Sequence, residues 1–282
     1  MADTDPSTRS GGPAADSRAA AFVEARLAGR SLAAYPGAFP GSLEQAYSIQ
    51  SEAISLWPDR VAGWKVGRIN APWEAQFGTD RLAGPIFSRQ ITQAAATSSP
   101  IQLFAGGFGA VEGEIVIEVG ADAPAEKLDW SLAEAIEITG NIRLGVEIAS
   151  SPFAEINEHG PLVTISDFGN NNGLILGTEI AGWRGASPAG WKLRTTIDGV
   201  EVGAADSLSV PGGPFESLRA VLEICARRGL PLRRGMQIST GAVTGVHVIV
   251  PGQTTEIEMQ GVPTIFCHAE RVPSPQAQPN PA

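Results

Sequence analysis

The chain has 282 residues, 43% of them hydrophobic and 18% charged, which suits one sizeable folded domain and excludes a wholly disordered chain. Its 30 Asp and Glu against 20 Lys and Arg give a formal charge of -10, a field that repels a nucleic-acid backbone. Its apolar runs fall short of the about 18 residues a membrane helix needs, and Cys225 and Cys267 lack zinc-spaced partners, so the expectation is a cytoplasmic protein with reduced thiols and no membrane association.

Residues 1–15 and 271–282 are polar or Pro-rich without periodicity and read as disordered tails around a single domain, 16–270. The first helix is expected over 17–28, with Phe22, Val23 and Leu27 inward and Gly29 as its stop. Ser42 followed by Gln45 signals the start of a second helix, in which Ala46, Ile49, Ala53, Ile54 and Trp57 recur at helical spacing until Pro58. Residues 16–60 thus form an N-terminal helical layer.

From Val61 the period changes to that of strands, and 61–270 reads as a mixed β core. A strand over 61–69 carries Lys65. Alternation over 111–119 puts Val111, Gly113, Ile115, Ile117 and Val119 on one face and Glu112, Glu114, Val116 and Glu118 on the other. Asp129 is expected to cap a helix over 132–138, and a short strand over 144–148 carries Glu147. An irregular polar loop spans 150–172, with strands following at 174–180 and 191–197. Asp198-Gly199 is a hairpin signal leading into 200–204, since both central positions need positive φ. A late helix over 215–228 stops at Gly229, beside Arg227, Arg228, Arg233 and Arg234, a solvated basic turn. Short strands close the chain at 236–239, 246–250, 254–259 and 263–268. Strands outnumber helices without regular βα alternation, which is an α+β pattern.

Glu112 and Glu114 share one face of an otherwise apolar strand, where two unpaired carboxylates repel each other and are costly to bury. A hard divalent cation removes both penalties, and Glu147, between Val146 and Ile148, is the candidate third ligand. Spacing alone leaves the wet face of a half-exposed strand as the commoner source of a Glu-x-Glu pattern. Lys65, between Gly63 and Gly67, is either held over a pocket or a surface lysine. The segment 167–173, which contains Asn170, presents amides to a substrate or forms a self-bonded turn. The segment Ser239-Thr240-Gly241-Ala242 is a place for a carboxylate to receive hydrogen bonds. His159 is either an acid/base at a pocket rim or an exposed loop residue.

Taken in order, Gly-Trp-Lys65-Val-Gly, Val-Glu112-Gly-Glu114-Ile, Gly-Val-Glu147-Ile, the stretch 167–177 and Ser-Thr240-Gly-Ala-Val-Thr-Gly resemble the fumarylacetoacetate hydrolase superfamily. The likeness covers 43–269 and is greatest to the branch of 2-keto-4-pentenoate hydratases and 4-oxalocrotonate decarboxylases. The resemblance implies a distorted mixed β-roll, a homo-oligomer of two or more copies, and Glu112, Glu114 and Glu147 as ligands of magnesium or manganese. It implies Lys65, Asn170 and Thr240 as substrate contacts and a metal-dependent hydratase of aromatic catabolism, acting on a small 2-oxo acid such as 2-hydroxypenta-2,4-dienoate through an enolate. A keto-deoxy sugar acid dehydratase, a 2-oxo acid decarboxylase, an acylpyruvate hydrolase and a non-catalytic metal-holding homologue are the alternatives. The chain departs from the branch at Leu82-Ala83-Gly84, where an Asp for proton transfer is usual, and at Phe168, where Asn is usual. Asp80 and His159 are the expected substitutes for that proton carrier.

Overall fold

The computed structural model describes residues 16–273, so the tail expected at 1–15 and most of that at 271–282 lie outside the described residues. Helix α1 (Ser17–Leu27) starts at Asp16, whose carboxylate accepts the Arg18 N–H at 2.9 Å. It buries Phe22 and Val23, but Leu27 ends the helix on its outer side and is 48% exposed, contrary to expectation. Helix α2 (Leu43–Leu56) is capped by Ser42, which accepts the Gln45 N–H, while Gln45 Oε1 reaches back to the Gly41 N–H at 2.7 Å.

Next come β1 (Val61–Arg68), α3 (Trp73–Phe77), β2 (Arg81–Phe87), β3 (Ile91–Gln93) and β4 (Ser99–Leu103). Strand β2 is buried along its whole length, so it lacks the alternation by which a strand is recognised in sequence. Strand β5 (Phe108–Val119) carries the Glu-x-Glu pattern, and α4 (Leu132–Ile138) follows. The α4 cap is Ser131, in a reciprocal capping box with Glu134; Asp129 instead meets Arg227 at 2.9 Å. Strand β6 (Thr139–Ser151) begins directly after α4 and is 13 residues long, far beyond the expected 144–148. The segment expected to be irregular also holds α5 (Pro161–Ser166) before β7 (Asn171–Glu179).

Strands β8 (Lys192–Ile197) and β9 (Val200–Asp206) are joined as expected at Asp198-Gly199, with φ of 48° and 76°. Then come α6 (Gly213–Arg227), β10 (Gln237–Ser239), β11 (His247–Val248), β12 (Thr254–Met259) and β13 (Val262–Arg271). Both cysteines are free and buried. The basic turn after α6 is tied down: Arg233 meets Asp122 at 3.4 Å, and Arg228 lies over the rings of Tyr47 and Trp64.

Two mixed sheets result. The larger runs β2-β1-β10-β5-β6-β7-β3, with β11 also on β5; the smaller runs β4-β13-β12-β8-β9. Their shared core includes Val111, Ile115, Ile117, Leu193, Ile257 and Ile265. Gly113 allows this close approach, since a Cβ there would lie 3.0 Å from Thr195 Oγ1 and 3.2 Å from Ile257 Cγ2. The period of two then turns Glu112 and Glu114 to the opposite face. Above part of that face lie α1 and α2, whose Ala19, Val23, Ile49 and Ala53 pack on Phe87 and Phe168. The α+β class, mixed core and N-terminal helical layer are therefore as expected.

One buried ion pair ties this layer to the sheet. Arg26 of α1 donates from Nε and Nη2 to Asp167 at 2.5 and 2.9 Å, and also to the carbonyls of Asn171 and Ser150. The two side chains are 1% and 0% exposed, and the guanidinium lies over the Phe104 and Phe168 rings. Replacing Arg26 with Met leaves a buried carboxylate without its partner and is expected to cost about 3–5 kcal/mol in denaturant unfolding. A loss under about 1 kcal/mol, the range of a surface substitution, contradicts that role.

Candidate active site

The β5–β6 register sets Glu112 directly opposite Glu147, with Glu114 two positions further along the same face. All three are buried, and each offers a carboxylate oxygen within 4.8 Å of the others. Lys65 reaches in from β1, with Nζ 3.2 Å from Glu147 Oε1 and donating to Asn170 Oδ1 at 3.1 Å. Glu114 Oε2 accepts from Ser239 Oγ at 2.5 Å and from the Gly241 N–H at 2.9 Å. Glu147 Oε1 accepts from Asn171 Nδ2 at 3.0 Å. These bonds aim the carboxylates and leave Glu114 Oε1 and Glu147 Oε2 buried with no hydrogen-bond partner.

Three carboxylates against one ammonium leave two negative charges when all are ionised. Hard oxygen donors, two orphaned lone-pair sites and that charge fit a divalent cation such as magnesium or manganese. The ionisation equilibria agree. Burial, then the Glu147 charge, pushes Glu112 up to about 7 against the pull of Lys65. Burial, Glu147 and Glu112 likewise raise Glu114 well above the usual carboxylate range, despite its bonds from Ser239 and Gly241. Burial opposes the Lys65 charge, but Glu147, Glu112 and Glu114 outweigh it and hold its pKa above the usual lysine value.

The site opens into a cavity of about 550 Å³ whose wall includes Lys65, Glu112, Asn170 and Thr240. Asn170 has φ of 58°, in a left-handed turn with Phe168 and Gly169 at 54° and 63°. That turn packs on Gly84, where a Cβ would stand 2.3 Å from the Phe168 carbonyl oxygen. It delivers the Asn170 amide between Lys65 and Asn157, and its Nδ2 donates to Asn157 Oδ1 at 3.1 Å. Thr240 spends its hydroxyl hydrogen on the Ile115 carbonyl at 2.7 Å, which fixes the wall it belongs to.

The two expected proton carriers are placed elsewhere. Asp80 precedes β2 and pairs with Arg81 at 2.5 Å, facing a separate hollow between α3 and α6. His159 sits outside the cavity lining, bonded to Glu155 at 2.9 Å and stacked on Phe153. Ala83, at the departure from the branch pattern, is fully buried; its N–H donates to Tyr47 Oη and its carbonyl accepts from Gln50 Nε2. Asp167 is a structural partner of Arg26 rather than a cavity group. Conversely, the sequence did not single out Asn171 or Ser239 as carboxylate partners. The Ser239 segment does serve a carboxylate, but it is the protein's own Glu114.

Comparison with known proteins places these features in context. No protein-family model matches the chain. A 2-keto-4-pentenoate hydratase of Burkholderia vietnamiensis is 24% identical over 254 residues, covering 88% of this chain and 95% of that one. Another of Paraburkholderia xenovorans is 26% identical over 254 residues, covering 88% and 91%. Among solved structures, 4-oxalocrotonate decarboxylase from Pseudomonas putida G7, complexed with magnesium and adipate, aligns with a TM-score of 0.75 at 19% identity, covering 89% of this chain and 95% of that one. A fumarylpyruvate hydrolase from Pseudomonas aeruginosa, in complex with manganese and pyruvate, aligns with a TM-score of 0.56 at 15% identity, covering 76% and 91%. The resemblance read from the ordered motifs is thus borne out in sequence and in fold. No helix among the described residues is long and apolar enough to cross a membrane.

Because the raised Glu112 pKa means that the metal-free fold holds a proton which the unfolded chain releases, deprotonation toward pH 8 weakens the metal-free protein. A cation that replaces that proton has more to offer at high pH. Magnesium is therefore expected to raise the unfolding temperature more at pH 8 than at pH 6, and Glu114→Gln to remove most of the rise. Equal shifts at both pH values, or an unaltered shift in the variant, contradict the assignment.

Proposed function

From the premise that this chain shares the ordered motifs and fold of the hydratase and decarboxylase branch of the fumarylacetoacetate hydrolase superfamily, we propose that it is a metal-dependent hydratase, a carbon–oxygen lyase. Its substrate is a small 2-oxo acid or the corresponding dienol, such as 2-hydroxypenta-2,4-dienoate. The observation that carries this is the set of three convergent buried carboxylates with Lys65 at the inner end of a cavity large enough for such a molecule. Glu112, Glu114 and Glu147 would hold magnesium or manganese, which when bound supplies Lewis-acid polarisation of the oxygens of a 2-oxo acid.

The chain's own groups divide the remaining work. Lys65 stays protonated, so it acts as a fixed positive charge beside the substrate carboxylate or the developing oxyanion and not as a general base. Asn170 holds the Lys65 ammonium in place from one side and Glu147 from the other. The apolar wall formed by Leu82, Phe108 and Val248 shields the carbon chain from water. Among the protonatable groups lining the cavity, Glu112 is the one with a pKa near 7, at an oxygen facing the interior.

The absence of an acid at Ala83 bears on the outer half of the reaction alone, and a decarboxylase, a keto-deoxy acid dehydratase and an acylpyruvate hydrolase fit the same inner half. Product analysis separates them. Magnesium-loaded protein is expected to convert 2-hydroxypenta-2,4-dienoate to its hydrated 2-oxo acid in a panel that also holds keto-deoxy sugar acids and acylpyruvates. Lys65→Met should lower kcat/KM by about a hundredfold or more while magnesium still binds. Failure of every substrate class with metal bound would leave a metal-holding homologue, and full activity in the variant would remove Lys65 from the mechanism.

A further inference from the structure

The outer end of the same cavity holds charge that the reaction centre does not use. Three bases, Lys65, Arg68 and Arg81, line the cavity against one acid, Glu112, although acids outnumber bases 30 to 20 in the chain. Arg68 and Arg81 are direct cross-strand partners in the β1–β2 register, an arrangement in which like charges repel. Arg81 is 3% exposed and held by two bonds that fix its plane: Nη1 donates to Asp80 Oδ2 and Nη2 to the Pro211 carbonyl, each at 2.5 Å. Arg68 is exposed and, among the described residues, has no carboxylate within salt-bridge reach. A fixed, buried guanidinium facing a free one across a cavity wall is an anion-binding pair with its anion missing.

We propose that Arg68 and Arg81 bind a second carboxylate at the far end of the substrate, so that the substrate class is a 2-oxo dicarboxylic acid. This rests on the 2-oxo acid reading of the inner site and narrows it. Asp80 neutralises one of the two arginines from behind, leaving a single net positive charge, which suits a carboxylate better than a dianionic phosphate. Three strand positions separate Lys65 from Arg68, roughly 10 Å along β1, the reach of an extended diacid with a short chain between its carboxylates. Between the two ends the wall is apolar at Val66, Leu82 and Phe108, where methylene or vinyl carbons would lie. Asp80, expected from sequence to move protons, acquires a different role: it orients the guanidinium that selects the substrate.

The test uses two probes of equal chain length that differ in the distal carboxylate. Magnesium-loaded protein is titrated calorimetrically with 2-oxoadipate and with 2-oxohexanoate, and the same pair is applied to Arg68→Gln. Wild-type protein is expected to bind the diacid at least about tenfold more tightly. In Arg68→Gln that advantage should fall to within about twofold, because the free half of the pair is gone while Arg81 and Asp80 keep the fold of the wall. Equal affinities in the wild type overturn the diacid proposal and leave the 2-oxo acid site standing. An undiminished advantage in the variant does the same for the assigned residues. Binding of neither acid removes the 2-oxo acid reading itself, and this proposal with it.

Discussion

Three carboxylates crowded on one buried sheet face are the constraint around which the structure is arranged. A single unpaired carboxylate is expensive to bury, and each addition is harder because its neighbours are already negative. Lys65 answers part of that charge and the hydrogen bonds from Ser239, Gly241 and Asn171 another part. Two oxygens are still left without partners. The remaining imbalance is what gives the site its affinity for a hard cation: the fold has placed donors where neither water nor a protein group meets them.

The neighbouring elements follow from holding that arrangement still. Gly113 lets the second sheet press against the back of β5, so the Glu-bearing face cannot turn over without emptying the core. On the front, Arg26 grips Asp167 and the Asn171 carbonyl. This fixes the left-handed turn that sets Asn170 on Lys65 and Asn171 on Glu147. The N-terminal helical layer is thus connected to the acidic centre through one guanidinium and one turn. Its contribution to function is positional: none of its side chains is among those lining the cavity.

Period-two alternation made the Glu112–Glu114 pairing legible in the sequence, because strand geometry alone puts residues two apart on one side. Placing Glu147 opposite Glu112 needed the register of β6 on β5, which spacing does not encode; the ordered motif series supplied it by resemblance. Residues whose role exists only after closure of the chain were illegible. Arg26 and Asp167 are 141 positions apart and Ser239 and Glu114 are 125 apart, and no local pattern joins either pair. Strand β2 was invisible for a different reason, since burial on both sides removes the alternation that marks a strand. Asp80 shows the converse limit: it lies three residues from Ala83 in sequence, yet the start of β2 turns it out of the cavity behind Arg81.

Everything proposed for this chain depends on one cation lying among Glu112, Glu114 and Glu147. Crystals soaked in manganese and measured at its absorption edge locate that ion directly by anomalous scattering. The expected result is one peak bounded by the three carboxylates, with Lys65 beside it. A peak elsewhere, or none at a manganese concentration that saturates binding in solution, contradicts the account.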